Sequence, residues 1–299
     1  MRGMGVADLV RAALPASVRV SERGGLPHLD IRTPAATAQV FFHGAHIAQW
    51  TPAPLTESVL WMSAHSLFQR DKGIRGGVPV CFPWFGAHAT AANAPQHGFA
   101  RLVDWLLVDA GEADGAVTLA FELRGKSFPN WPHSFRITNR LTIGSTLTLA
   151  LDVENTSHGP ITFEEALHTY YAVGDIARAS VEGLENTDYL DKVQGFARCR
   201  QPNDPIRFTA ETDRVYLDTT STCRIVDPAR SRTIVVEKSE SRSTVVWNPW
   251  SDGAKRFTDF GADEWREMVC VETANVRDAA IRLDPGGRHT MTLKIRVER

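Results

Sequence analysis

The chain of 299 residues is 43% hydrophobic and 23% charged, with a formal charge of −2 at pH 7. These values are normal for a globular protein with a sizeable core, and the small charge gives no general attraction to nucleic acid or to an anionic membrane. No stretch approaches the roughly 18 consecutive apolar residues of a membrane span, and no early apolar run marks a secretory signal. We therefore expect a cytoplasmic protein in which any anionic ligand is held by a local cluster of basic side chains.

Four cysteines stand apart in the sequence without a C-x-x-C pair: Cys81, Cys199, Cys223 and Cys270. This spacing argues against a zinc ribbon, and nothing else indicates a secreted disulfide scaffold. His43 and His46 are separated by two residues, which on a strand places them on opposite faces and spoils a two-ligand metal site. We expect no metal site and treat the cysteines as core residues.

In chain order, the first 16 residues predict one short helix, since apolar residues from Val6 to Leu14 recur at helical spacing before Pro15. From there the strand signal dominates, and turn residues such as Asp114-Gly115 separate the strands. The segments that we predict as strands are 29–32, 38–42, 46–50, 102–109, 117–123, 136–143, 146–154, 161–173, 215–217, 223–226, 233–237, 244–247, 265–271 and 289–297.

The clearest hairpin joins segments 136–143 and 146–154 across Gly144-Ser145. Convincing helices are few, which argues against alternating β-α-β units and a parallel sheet. Many strands at short spacing, with Gly and Pro between them, favour a sandwich. We therefore predict an all-β fold, a large antiparallel β-sandwich with few short helices, as a single domain over residues 1–299.

Segment 161–171 is a strand-like run with an anomalous polar face. Phe163 and Leu167 share one face, whereas His168 and Tyr170 share the other. A polar face inside an apolar strand must meet solvent or line a cavity, because an unpaired buried polar group is costly. We expect a cavity, although the pattern alone does not distinguish a catalytic His168 from a satisfied core histidine.

Two loops are dense in polar, Gly and aromatic residues. Segment 73–86 presents Arg75 beside aromatic rings, and it is not a phosphate-binding P-loop because no Gly-Lys-Ser/Thr follows. Around Gly98, the side chains of Gln96, His97 and Arg101 supply directional donors that suit sugar hydroxyls or a phosphate. The alternatives are a solvated arginine on a surface loop and a structural loop histidine.

Two acids complete the candidates. Glu272 ends an apolar strand, where burial could tune the pKa of its carboxyl group for base chemistry. Asp213 stands just before the short strand 215–217. A solvated strand end and a surface ion are the alternatives for these two residues. The turn Trp247-Asn248-Pro249-Trp250 either packs or walls a sugar pocket through ring stacking.

Taken in order, these motifs resemble those of the aldose 1-epimerase (galactose mutarotase-like) superfamily, and in particular its glucose-6-phosphate 1-epimerase branch. The likeness extends from about residue 20 to the end of the chain. The motifs that carry it are Arg75-Gly76-Gly77 with Pro79 and Phe82-Pro83, His97-Gly98-Phe99-Ala100-Arg101, Glu165-Ala166-Leu167-His168-Thr169-Tyr170, Trp247-Asn248-Pro249 and Met268-Val269-Cys270-Val271-Glu272.

The resemblance implies a large antiparallel β-sandwich without metal that interconverts the α and β anomers of a hexose 6-phosphate, a reaction that needs no cofactor. It implies that His168 is the general acid and Glu272 the general base. It also implies that the substrate is contacted by Arg75, Gln96, Arg101 and Asp213, and that His97 lies close to the sugar. We expect a monomer that binds a small-molecule sugar phosphate and neither nucleic acid nor membrane.

Three alternatives stay open at this stage. A mutarotase for unphosphorylated aldoses would have no need of two arginines, and a non-catalytic sugar-phosphate-binding protein would need neither an acid nor a base. A glycoside hydrolase normally has two carboxylates that flank the bond, and Glu272 is the one carboxylate with a motif behind it.

Overall fold

Strands make up most of the regular structure in the computed structural model, which describes residues 6–299. Of the helix expected in the first 16 residues, the turn α1 (Val6–Leu9) is present, and positions 1–5 of that segment lie outside the described residues. A second short helix is α2 (Trp250–Ala254), and four 3-10 turns cover Ala100–Leu102, Pro228–Arg230, Glu264–Glu267 and Arg277–Ala279. No helix among residues 6–299 has the length and apolar character needed to cross a membrane.

The strands are defined as follows. The first nine are β1 (Val18–Arg23), β2 (Leu26–Arg32), β3 (Ala36–Phe41), β4 (His46–Pro52), β5 (Val80–Cys81), β6 (Leu106–Ala113), β7 (Ala116–Gly125), β8 (Phe135–Ile143) and β9 (Leu147–Asn155). The others are β10 (Ile161–Phe163), β11 (Glu165–Leu167), β12 (Tyr170–Ala172), β13 (Ser180–Glu182), β14 (Asp188–Asp191), β15 (Ala197–Arg200), β16 (Ile206–Arg207), β17 (Thr212–Tyr216), β18 (Cys223–Asp227), β19 (Arg232–Ser239), β20 (Ser243–Asn248), β21 (Met268–Asn275), β22 (Ile281–Leu283) and β23 (Arg288–Glu298).

Two large antiparallel sheets organise the molecule. One has nine strands in the order β16-β13-β18-β19-β23-β9-β8-β7-β6. The other has eight, in the order β15-β14-β17-β20-β21-β11-β5, with β12 also paired to β21. Strands β1–β4 form a separate antiparallel sheet, and β10 pairs with β22. The prediction of an all-β, antiparallel fold with few short helices is confirmed.

The predicted hairpin corresponds to β8 and β9, which pair in register from Ile143–Leu147 to Phe135–Asn155. In both strands every second residue is buried, which is the period expected when one face of a sheet packs on a core. Buried side chains of the nine-stranded sheet, such as Leu151, belong to the same hydrophobic cluster as Val271 of the eight-stranded sheet.

The run 161–171 is not one strand, as the sequence predicted, but three. The chain leaves sheet geometry at Glu164, whose amide donates to Pro83 O and whose carboxylate accepts the amides of Phe85 and Arg277. It leaves again at His168, whose amide donates to Pro79 O. The proline-rich neighbouring segment cannot supply a continuous ladder, because proline has no amide proton to donate.

Three other strand predictions need correction, and two of them move candidate residues. β21 begins at Met268 after a 3-10 turn and continues to Asn275, so Glu272 lies inside a strand and does not end it. β17 begins at Thr212, so Asp213 is also within a strand. The segment predicted as a strand from residue 102 instead starts with a 3-10 turn, and β6 begins at Leu106.

Candidate active site

A cavity of about 370 Å³ lies against the eight-stranded sheet. The seven site residues predicted from the sequence all line it: Arg75, Gln96, His97, Arg101, His168, Asp213 and Glu272. They come from loops and strands far apart in the chain, and the cavity is where the fold brings them together.

The sheet wall of the cavity is a row of cross-strand neighbours. Asp213 of β17 pairs with Trp247 of β20, which pairs with Cys270 of β21, which pairs with Tyr170 of β12. Because side chains alternate between the two faces of a strand, residues paired in this way point to the same side of the sheet. Trp247 therefore lines the cavity, and it also packs in the hydrophobic core cluster.

His168 and Glu272 are cross-strand neighbours as well. The pairing of Leu167 with Thr273 and of Tyr170 with Cys270 is in the same register, and that register places His168 opposite Glu272. His168 Nε2 lies 3.4 Å from Glu272 Oε1. The second polar atom of each side chain, His168 Nδ1 and Glu272 Oε2, is buried without a hydrogen-bond partner among the described residues.

Burial dominates the electrostatics of this pair. Burial, together with the positive charges of Arg75 and Arg101, lowers the pKa of His168 to about 3. Burial also raises the pKa of Glu272 well above its ordinary value, against the opposing effect of Lys192. Burial thus disfavours the charged form of both side chains, the imidazolium of His168 and the carboxylate of Glu272.

Arg75 is already compensated by the protein. Its Nε and Nη2 donate to the two carboxylate oxygens of Asp259 at 3.2 and 3.0 Å, and its Nη1 donates to the hydroxyl of Tyr170 at 3.1 Å. The guanidinium also lies 4.6 Å above the ring of Phe257. Arg75 thus ties the loop that carries Asp259 to the sheet wall of the cavity.

Arg101 is not compensated. Its Nη2 donates to the carbonyl of Gln96 at 2.9 Å, its Nε is buried without a partner, and no carboxylate among the described residues is in ion-pair contact with it. A Cβ atom at Gly73 would lie 1.9 Å from Arg101 Nη1, so the absence of a side chain there gives the guanidinium its place. Burial accordingly lowers the pKa of Arg101.

The loop that carries His97 is held by backbone contacts. The amide of His97 donates to Gly86 O at 2.8 Å, and its Nδ1 accepts the Gly86 amide at 3.3 Å. Gly98 has φ +71°, and a Cβ there would lie 1.9 Å from Phe82 O, so this turn requires glycine. The pKa of His97 is lowered well below its ordinary value by burial and by neighbouring His168, so His97 is neutral.

Sequence reasoning missed Lys192, which also lines the cavity. Asp191 accepts the amides of Val193 and Gln194 and so shapes the turn after β14. Lys192 Nζ then reaches Asp213 Oδ2 at 2.7 Å. In the sequence nothing distinguishes this lysine from a solvated one. Sequence reasoning also missed Asp259, and it missed the stacking of Tyr170 on His168, whose ring centroids are 4.9 Å apart. No local sequence pattern marks either contact.

One group of possible metal ligands occurs among the residues that the structure describes. Ligand atoms of His168, Cys270 and Glu272 lie within 4.8 Å of one another. Burial raises the pKa of the Cys270 thiol well above its ordinary value, which disfavours the thiolate that a metal ion would bind. Arg75, Arg101 and Lys192 line the same cavity and repel a cation, so these residues do not fit a metal.

The antiparallel fold and the comparison with known families define the class of protein, an epimerase of sugars. The aldose 1-epimerase family model matches residues 27–296, and the chain belongs to that family. The family prediction made from the motifs is thereby confirmed.

The individual relatives agree in name and in structure. Two proteins provisionally named glucose-6-phosphate 1-epimerase are 39% and 37% identical to the chain. The first, from Escherichia coli, is aligned over 88% of this chain and 90% of its own. The second, from Cenchrus ciliaris, is aligned over 83% and 78%. The crystal structure of a protein from Salmonella typhimurium, provisionally called a mutarotase, superposes with a TM-score of 0.89 at 32% identity and covers 96% of both chains.

Proposed function

We propose that this enzyme interconverts the α and β anomers of a hexose 6-phosphate, with glucose 6-phosphate as the first substrate to test. The observation that carries the proposal is the His168–Glu272 pair, 3.4 Å apart in a cavity that also presents the uncompensated guanidinium of Arg101. The names of the relatives from Escherichia coli and Cenchrus ciliaris give the same substrate.

The chemistry needs one proton donor and one acceptor. Protonation of the ring oxygen O5 by His168, with removal of the C1 hydroxyl proton by Glu272, breaks the C1–O5 bond and leaves an aldehyde at C1. Rotation about C1–C2 presents the other face of the aldehyde to the O5 hydroxyl. The ring then closes as the O5 hydroxyl attacks C1 and returns its proton to His168, while Glu272 gives its proton back to the C1 oxygen. No electrons and no groups are transferred, so the reaction requires no cofactor, and each catalytic residue contributes roughly 10²–10⁴-fold.

The two unpartnered atoms of the pair suit this role. His168 Nδ1 and Glu272 Oε2 are buried polar atoms without partners among the described residues, a costly state that bound hydroxyl groups would relieve. Gln96, His97 and Asp213 line the same cavity and are proposed to contact the sugar.

We assign the phosphate primarily to Arg101. A guanidinium fork matches phosphate oxygens and stays charged, but that of Arg75 is occupied by Asp259 and Tyr170. Arg101 has its charge free for the ligand. Arg75 then shapes the cavity and is the second donor that we propose for the substrate. Sugar phosphates do not cross membranes freely, so this substrate fits the cytoplasmic location that we propose. We also propose that the enzyme is a monomer with a single domain.

The test is exchange NMR of the two anomers of glucose 6-phosphate, with and without the protein, and of free glucose in parallel. We expect acceleration of glucose 6-phosphate exchange at low protein concentration. Arg101→Ala should raise KM for glucose 6-phosphate far more than for glucose, whereas Arg75→Ala should impair both. Equal effects of Arg101→Ala on both sugars would favour a mutarotase for unphosphorylated aldoses. Binding of glucose 6-phosphate by calorimetry without faster exchange would indicate a non-catalytic binding protein.

A further inference from the structure

The imidazole of His168 lacks the hydrogen bond that usually orients a histidine in acid–base chemistry. Its Nδ1 is buried without a hydrogen-bond partner among residues 6–299. Its Nε2 lies 3.4 Å from Glu272 Oε1, which is longer than an ordinary hydrogen bond. Because a reacting histidine is normally oriented by a hydrogen bond from its second nitrogen, the orientation of this ring has another source.

The backbone at His168 is not part of a strand. The chain leaves sheet geometry here, and the amide of Thr169 turns back to Leu167 O at 2.8 Å. The pleat of a sheet directs side chains only where the strand continues. The direction of the His168 side chain therefore depends on the groups that pack around it.

Tyr170 provides a flat surface for the imidazole. The two rings are stacked, with centroids 4.9 Å apart and planes 14° from parallel. Trp61 stacks on Tyr170 in turn, with centroids 5.7 Å apart and planes at 20°. Trp247 meets the rings of His168 and Tyr170 edge-on, and His97 meets His168 edge-on at 5.3 Å. Stacked and edge-on pairs are the favoured geometries of aromatic rings, so the imidazole lies in a slot formed by ring contacts.

Tyr170 is itself held in place. Its amide donates to Gly77 O at 2.9 Å, its carbonyl accepts the Trp61 amide at 3.0 Å, and its hydroxyl accepts a hydrogen bond from Arg75 Nη1 at 3.1 Å. Both carboxylate oxygens of Asp259 accept hydrogen bonds from that same guanidinium. Since the Tyr170 side chain is also buried, its ring is a fixed surface against which another ring can be oriented.

We propose that Tyr170 is a positioning residue, whose ring fixes the imidazole plane of His168 and so aims its nitrogens at the substrate. Stacking orients a ring without occupying either nitrogen, so both remain available for hydroxyl groups and for the proton that is transferred. Tyr170 thus acts through His168 and itself neither donates nor accepts a proton. This inference rests on the proposed function.

Two substitutions of Tyr170 separate its ring from its hydroxyl. Tyr170→Leu removes both, whereas Tyr170→Phe removes the hydroxyl alone, so any effect through Arg75 is common to the two variants. We expect Tyr170→Phe to retain kcat for glucose 6-phosphate within about threefold of the wild type, and Tyr170→Leu to lower it by about 10- to 100-fold at a similar KM. The reason is that a displacement of about 1 Å in a reacting group can cost a factor of 10².

The matched control is Tyr189→Leu. It deletes a buried tyrosine ring that packs on Tyr216 and does not line the cavity, so kcat should be unchanged even if the melting temperature falls. If Tyr170→Leu folds and has the kcat of Tyr170→Phe, the ring has no positioning role and this inference is overturned. If the wild type itself does not accelerate glucose 6-phosphate exchange, the proposed function is wrong.

A double variant tests whether Tyr170 acts through His168. In a His168→Asn background, assayed at high protein concentration, Tyr170→Leu should lower the residual kcat by no more than about twofold, because no imidazole remains to be positioned. Losses that multiply would show that Tyr170 acts on the substrate independently of His168, and the inference would be wrong.

A further measurement uses the full-length protein with Tyr170 intact and does not depend on turnover. Proton NMR of the histidine rings, with His168→Asn used to assign the signals, reports whether His168 lies over an aromatic face. We expect its ring protons to resonate upfield of those of the exposed His65, because the ring current of Tyr170 shields them. Unshifted His168 signals would overturn the inference even if Tyr170→Leu failed to fold.

Discussion

Two histidine–glutamate pairs lie close together in this protein and differ in almost every property. Glu165, in β11, lies 3.0 Å from His289 of β23, and His168, just after β11, lies 3.4 Å from Glu272 of β21. The Glu165 pair faces the interior between the two large sheets, and the His168 pair faces the cavity. Since Glu165 and His168 occupy opposite faces of one short segment, the same stretch of chain serves both.

The surroundings explain the difference. Burial alone would lower the pKa of His289, but the hydrogen bond and the charge of Glu165 outweigh it and raise that pKa. Asn275 donates to Glu165 Oε1 at 2.9 Å and completes the cluster. At His168, burial and the arginine charges act together and lower the pKa to about 3. One pair joins two sheets through a contact that favours the charged imidazole, and in the other pair burial disfavours charge on both side chains.

Activity should distinguish the pairs most strongly. His168→Asn and Glu272→Gln should each slow anomer exchange by about 10²–10⁴-fold, since each removes a proton donor or acceptor. The matched changes His289→Gln and Glu165→Gln should leave kcat of the folded protein within about threefold, because neither side chain lines the cavity. Exchange NMR at one pH checks all four variants, and a large loss in the interior pair would contradict the division of roles.

Stability should show the reverse ranking. His289→Gln leaves the fully buried Glu165 without its cation, and we expect a loss of about 1–3 kcal/mol in the free energy of unfolding. The figure is below that of fully enclosed pairs because His289 is partly exposed. Urea titration measures it, with His65→Gln, a surface histidine, as the control. Unchanged stability would mean that the pair joins the sheets without strengthening them.

The pH dependence of this stability has a definite sign. The folded-state pKa of His289 lies above its unfolded value of roughly 6.5, so its contribution is fully present below about pH 6.5 and is lost as pH rises through the folded pKa. The difference in melting temperature between the wild type and His289→Gln should therefore shrink from pH 6 to pH 9. A difference that grows over this range would contradict the ion-pair assignment.

The proposed catalytic pair should cost stability. The pKa of Glu272 is raised in the folded protein, so the unfolded chain loses its proton more readily, and stability falls as pH rises above roughly 4.5. Glu272→Gln removes this cost. We expect the free energy of unfolding to rise by about 0.5–2 kcal/mol at pH 7, and we expect this gain to disappear near pH 4. Thermal unfolding at the two pH values checks it, and a loss of stability at pH 7 would show that the carboxyl group supports the fold.

How much of this was accessible from the sequence differs between the fold and the site. The alternation in β8 and β9 predicts the hairpin because one buried face imposes a period of two. The motifs bring the seven cavity residues to attention, and the structure places them around one cavity. The break of segment 161–171 escaped prediction because its cause lies in another segment, the prolines at positions 79 and 83.

The missed residues share that limitation. Lys192 reaches Asp213 only because β14 and β17 pair in a particular register, and Asp259 reaches Arg75 from a loop nearly two hundred residues away in the chain. No local pattern encodes such contacts. The second pair was equally hidden, since His289 lies in an ordinary amphipathic strand and nothing in its neighbourhood indicates Glu165 as its partner.

The smallest expected effect concerns Arg101, a cation that acts on His168 of one pair and not on His289 of the other. Gly73→Ala places a methyl group where Arg101 Nη1 lies, and the flexible guanidinium must shift. We expect KM for glucose 6-phosphate to rise on the order of threefold, a cost of about 0.7 kcal/mol, with kcat for glucose and the melting temperature little changed. The matched control is Gly159→Ala, whose added Cβ meets no neighbour within 4 Å. Arg101 acts on His168 and has no part in the Glu165–His289 contact. If Gly73→Ala lowered the melting temperature and left KM unchanged, Arg101 would be a residue that stabilises the fold and not one that binds substrate.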